Sequence, residues 1–115
     1  MTLRYDLRLN QGETFRVSIP VLDEDGNGDP ALLIGTTAKA QIRSHAASPT
    51  VLYEWSAANG NLAYDVNNIV LTTPAAASTL WAFRTGQWDL ELSDNSGTAT
   101  RLVEGLVIVH PEVTR

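Results

Sequence analysis

The chain has 115 residues, 43% of them hydrophobic, with a formal net charge of −5 and no Cys. It is long enough for one domain but not two, and too apolar to remain disordered. The missing Cys excludes a disulfide framework, a thiolate nucleophile and a Cys-type zinc site, and the acidic balance excludes a basic nucleic-acid module.

No apolar stretch approaches the roughly 18 residues of a membrane-spanning helix, so no membrane partner is expected. Arg4 and Arg8 lie within an alternating run, with no apolar segment behind them to make a secretory signal. Seven of the eight basic residues are Arg, and Lys39 stands alone. Arg suits planar, bidentate ion pairing at interfaces, and genomic base composition produces the same bias.

Two alternating runs open the chain, Leu3–Leu9 and Thr14–Leu22, with Asn10-Gln11-Gly12 between them. Leu3, Tyr5, Leu7 and Leu9 share one face of the first, and Phe15, Val17, Ile19 and Val21 share one face of the second. A period of two predicts strands with one dry face. The acidic turn Asp23–Asp29 and Pro30 come next, and Ala31–Ile34 reads as an extra edge or a tucked loop. Thr36–Ser44 reads as a third strand with Ala38, Ala40 and Ile42 inward, small residues that suggest a close approach of the opposing sheet.

Val51–Ser56 places Val51, Tyr53 and Trp55 on one face, and Asn59-Gly60-Asn61 marks a turn. Leu62–Val66 and Ile69–Thr73 predict a hairpin about Asn67-Asn68. Thr73 as N-cap and Pro74 at the first helical position start a short helix through Leu80. Gly86–Ser93 alternates with Trp88, Leu90 and Leu92 on one face, Asp94–Gly97 is a turn, and Thr98–His110 is the longest run, closed by Pro111. The expected fold, over residues 1–115, is an all-β, immunoglobulin-like antiparallel sandwich of seven or eight strands with one short helical turn.

Few residues point to chemistry. Asp23-x-Asp25-x-Asn27-Gly28 opens like a calcium loop, but Pro30 and Ile34 stand where that loop needs a small apolar residue and a bidentate Glu. A solvated turn accounts for it. His45 and His110 lack the nucleophile turn or ligand spacing that catalysis or metal binding needs. Asp89 and Glu91, with Glu54 near them, form a carboxylate set that on a solvated strand face is ordinarily solubilising. Trp55 and Trp88 fit core positions. Trp81, beside Phe83 and Arg84, either anchors an interface or plugs the open end of the sandwich. The tail carrying Val113 and Arg115 either adds a strand to a neighbour or frays.

Six segments, taken in order, carry a family resemblance. They are Gly12-Glu13-Thr14-Phe15-Arg16-Val17, Val21-x-Asp23-x-Asp25-Gly26, Thr37–Arg43, Asp89–Asp94, Arg101-Leu102-Val103-Glu104-Gly105 and Pro111–Arg115. Together they resemble small β-sandwich virion proteins of tailed bacteriophages and prophages, and are similar to the immunoglobulin-like N-terminal domain of phage baseplate upper proteins. The acidic turn is longer here than that pattern, and no fibre or receptor-binding domain is expected to follow. The resemblance implies a non-enzymatic, stand-alone accessory subunit without cofactors, in the virion and in the host cytoplasm during assembly. Its partners would be capsid or tail subunits, with a slight lean to capsid decoration, and it would be homo-oligomeric or multi-copy on a lattice. Arg4, Arg8, Arg16, Arg43 and Arg101, with Trp81, Phe83, Arg84, Val113 and Arg115, are its candidate contacts. The alternative is a carbohydrate- or cell-surface-binding module, which should expose Trp81 or Tyr64 in a groove.

Overall fold

The computed structural model describes residues 3–22 and 35–112. The acidic turn at 23–29, the segment Ala31–Ile34 and the tail residues Val113 and Arg115 lie outside the described residues.

Among the described residues, nine strands and one helical turn follow in order: β1 (Leu3–Arg4), β2 (Leu7–Asn10), β3 (Phe15–Pro20), β4 (Thr36–Arg43), β5 (Tyr53–Ser56), β6 (Leu62–Asp65), β7 (Asn68–Thr73), α1 (Ala75–Thr79), β8 (Thr85–Asp94) and β9 (Ala99–His110). They form a six-stranded sheet, β1-β9-β8-β4-β5 with β2 also on β9, and a three-stranded sheet, β3-β7-β6. The inward alternation expected for 36–44 and 86–93 is present: Ala38, Ala40, Ile42, Trp88 and Leu90 are all buried. Ile19, Leu62, Ile69 and Leu71 meet them from the second sheet in one continuous core. Ala40 is registered between Leu90 and Trp55, so its small side chain leaves room for bulky neighbours within its own sheet.

The first run departs from the expectation in two ways. It breaks at Tyr5-Asp6, so Leu7 and Leu9 are buried while Leu3 and Tyr5 are half exposed. Both halves also pair with β9 in parallel, so the sandwich is not wholly antiparallel. The break is held in place. The Trp88 indole Nε1 donates to the Tyr5 carbonyl at 2.8 Å, and the Leu106 amide donates to Asp6 Oδ1 at 2.9 Å. Gly105 lies directly beneath, where a Cβ would run into the Tyr5 carbonyl.

Thr73 does not cap the helix as expected. Its side chain is fully buried, and its hydroxyl accepts the Trp55 indole N–H at 3.0 Å, tying β5 of one sheet to β7 of the other. Pro74 therefore takes the N-cap position, with no side-chain hydrogen bond. A buried indole N–H without an acceptor costs more than an exposed cap returns, so the core takes the threonine. Trp55 also meets Tyr53 and Trp88 edge-on, at 5.2 and 6.3 Å.

The hairpin turns one residue earlier than expected. Asp65 pairs with Asn68, which leaves Val66-Asn67 as a two-residue loop with Val66 at φ 56°. Glycine is the residue that fits this first loop position.

Gln11 organises one end of the sandwich. Its amide donates to the carbonyls of Thr79 and Trp81 at 3.2 and 3.0 Å and accepts the Glu112 amide at 3.0 Å. Ser78 Oγ accepts the neighbouring Gly12 amide at 2.8 Å. The break after β2, the helical turn and the end of β9 are thereby joined through one buried, satisfied side chain.

Two stability changes of opposite sign follow. Val66→Gly should raise stability by about 0.5–1 kcal/mol in urea melts, because relief of the left-handed backbone (about 1–2 kcal/mol) exceeds the entropic cost of glycine. Gly105→Ala should lower it by up to about 3 kcal/mol, the overpacking penalty of a buried contact with no room to yield.

Candidate functional site

The outer face of the six-stranded sheet holds most of the charged residues singled out in the sequence. One feature of β9 assembles it. Leu90 pairs with Val103, but the next residue of β8, Glu91, pairs with Arg101, so Leu102 is an extra residue in the ladder. In a regular strand, positions 101 and 104 point to opposite faces. The bulge cancels the alternation. Leu102 packs against the core beside Val103, while Arg101 and Glu104 both face outward, 3.4 Å apart at Nη1 and Oε2.

The outward side chains then fall into cross-strand rows. Arg4, Glu104, Asp89, Gln41 and Glu54 lie side by side across five strands. On one side of that row run Arg101, Glu91 and Lys39, and on the other Leu106, Gln87 and Arg43. Arg8, Ile108 and Thr85 form a further row. A shallow concavity of ≈ 490 Å³ lies over the first three rows. Its lining includes the cations Arg4, Lys39, Arg43 and Arg101 and the carboxylates Asp89, Glu91 and Glu104, one net positive charge on a chain that is −5 in total.

Arg101 is the hub of the network. Its Nε lies 3.4 Å from Asp89 Oδ2, in addition to the contact with Glu104. Asp89 is pushed above the ordinary carboxylate value, first by burial and then by repulsion from Glu91, against the pull of Arg101 and Arg43. Glu54 is reached through Gln41, whose Nε2 donates to Glu54 Oε1 at 2.7 Å. Asp94, in the β8–β9 turn, is held below the ordinary value by hydrogen bonds from the Ser96 hydroxyl and the following amides.

The remaining candidates lie elsewhere. Trp81 is 8% exposed, stacked on Phe83 at 4.9 Å and edge-on to Tyr53 at 5.1 Å, so its ring closes the end of the sandwich. Leu80, 83% exposed, is the outward side chain of that connection. Arg84 is exposed; its guanidinium donates to the Phe83 carbonyl at 3.4 Å, and its own carbonyl accepts the Val109 amide at 2.8 Å. Arg16 sits on β3 of the other sheet. Tyr64 is half exposed, with its hydroxyl accepting the Ala38 amide at 3.0 Å. His45 and His110 are exposed, and among the described residues neither is ion-paired with a carboxylate.

Nothing in the order of the chain joins the arginines to the carboxylates, which come from five separate strands. The signal was present in Arg101-Leu102-Val103-Glu104, where two apolar residues between two charges interrupt a period of two.

No known protein family and no curated protein matches the sequence. Among solved structures the chain is similar to extracellular domains 3–5 of Drosophila OTK, with 13% identity and a TM-score of 0.46 over 95% of this chain and 33% of that one. It is also similar to an endo-fucoidan hydrolase of glycoside hydrolase family 107, with 16% identity and a TM-score of 0.49 over 97% of this chain and 13% of that one. The chain thus spans a third or less of either neighbour. The fold itself is an all-β sandwich of two sheets with one short helical turn among the described residues.

Asp89 gives the face a pH signature. Its carboxyl is held above 3.8 in the folded state, so the folded chain binds more protons than the unfolded one from about that pH upward. Its contribution therefore makes stability fall as pH rises through the folded value, opposite in sign to Asp94. Asp89→Asn should remove that fall in urea melts across pH 3–7. Arg101→Met should move the Asp89 titration, followed by carboxyl NMR, still higher.

Proposed function

We propose that this chain is a non-enzymatic structural subunit of a tailed-bacteriophage virion, attached to another virion protein through the outer face of its six-stranded sheet. The observation that carries the reading is the bulge at Leu102, which places Arg101 with Glu104 and so spreads one charged network over five strands. Several features support a binding role. The concavity is shallow and lined largely by charged and amide side chains, which suits a complementary polar surface. The strands beneath it are pinned by one buried and one part-buried indole hydrogen bond, so little ordering cost falls on association. On a repeated lattice a modest interface per copy suffices, because many copies bind together. The ordered likeness to phage β-sandwich subunits supplies the biological setting, with the particle as the location and capsid or tail subunits as partners. Decoration of the capsid is the favoured placement.

Mass spectrometry of intact particles, purified from cells that encode this chain, should find it at a fixed, countable copy number that survives washing in moderate salt. Absence from the particles, together with binding on a glycan array, would replace this reading with carbohydrate recognition.

A further inference from the structure

Within the charged face, one row differs in kind from the others. The Arg43 guanidinium donates through Nη1 to the Ser48 carbonyl at 2.6 Å and through Nη2 to Gln41 Oε1 at 2.9 Å. Gln41 is itself anchored, since its Nε2 donates to Glu54. The guanidinium plane is thus fixed by neutral oxygens, with three of its five N–H groups unspent. Among the described residues no carboxylate lies within ion-pair distance of it. Asp89 is only its diagonal neighbour and is paired with Arg101.

Gln87 stands opposite Arg43 in register across β4 and β8. The Ala46 amide donates to Gln87 Oε1 at 2.8 Å, so that oxygen is engaged by the loop after β4. What Gln87 offers outward is its NH₂ group. Two neighbouring side chains therefore present donors, Arg43 being held by acceptor oxygens of the fold and Gln87 by the amide that donates to its oxygen, and one of them carries a fixed positive charge. The other cations differ. Arg101 is committed to Asp89 and Glu104, and Lys39 is a flexible point charge registered against Glu91.

We propose that Arg43 and Gln87 form a receptor for a carboxylate borne by an acidic segment of the protein partner. The proposal rests on the reading of this face as a protein-binding surface. A carboxylate matches the site because its two oxygens accept the parallel N–H bonds of a guanidinium fork, while the adjacent amide supplies a third donor. The pre-set plane of Arg43 lowers the ordering cost of that bond. The net positive charge of the concavity favours the same occupant.

The test is calorimetric titration of the full chain with a hexaglutamate peptide at low salt. The expected result is saturable binding that Arg43→Gln and Gln87→Glu each weaken by about tenfold or more, the scale of one charge-assisted hydrogen bond. Arg43→Lys should weaken it as well, because the charge remains and the fork is lost. Arg16→Gln, on the other sheet, should leave it unchanged. Gln87 is exposed, so its variant keeps the fold even if changes at Arg43 loosen the loop. No saturable binding, equal loss with Arg16→Gln, or tighter binding of an oligogalacturonate than of the peptide would overturn the proposal. Particles separate the two levels. Arg43→Gln retained at wild-type copy number would remove the receptor and leave the structural role standing. A wild-type chain absent from particles would remove that role, and the peptide titration would still decide the receptor.

Discussion

An extra residue in the longest strand is the constraint on which the rest depends. β9 must bury Val103, Val107 and Val109 against the second sheet while presenting Arg101 and Glu104 to solvent. Regular alternation cannot do both, since it would turn either Arg101 or Glu104 into the core, at the cost of burying a charge. The bulge at Leu102 resolves the conflict by taking one residue out of the ladder. Its apolar side chain joins the core, and the charges on either side of it meet on the outer face.

The interior makes that face rigid. Trp55 spans the sandwich by giving its indole N–H to Thr73, and Trp88 reaches the Tyr5 carbonyl at the break between β1 and β2. The first of these bonds is buried and the second part-buried, and an unmet indole donor is costly in either place, so each acts as a positional constraint more than as an added source of stability. Gln11 does the same at the end of the sheet, where it joins three segments distant in sequence. Side chains such as Arg43 and Gln41 are then oriented on a backbone that has little freedom to shift.

How much of this the sequence disclosed follows from what alternation encodes. A period of two tells which residues of 36–43 and 88–92 face the core, and it places Trp55 and Trp88 there, because burial depends on local pattern. It is silent on which strands are neighbours. The parallel pairing of β1 and β2 with β9 is a long-range choice, and nothing in Leu3–Leu9 distinguishes it from an antiparallel edge. Thr73-Pro74 has the chemistry of a helix start, yet the hydroxyl goes to an indole eighteen residues earlier in sequence. Gln11 reads as part of a polar break, because the carbonyls it satisfies are brought to it only by the fold. The charged face is hidden in the sequence for the same reason: its rows run across strands, perpendicular to the order of the chain.

With no native Cys, single-cysteine variants report directly on which way β9 points at each position. The decisive measurement is the alkylation rate, by a charged thiol reagent in the folded state, of Arg101→Cys, Leu102→Cys, Val103→Cys and Glu104→Cys. The bulge predicts fast reaction at 101 and 104 and slow reaction at 102 and 103. Strict alternation of fast and slow along the four positions would contradict it, and with it the assembly of the charged face.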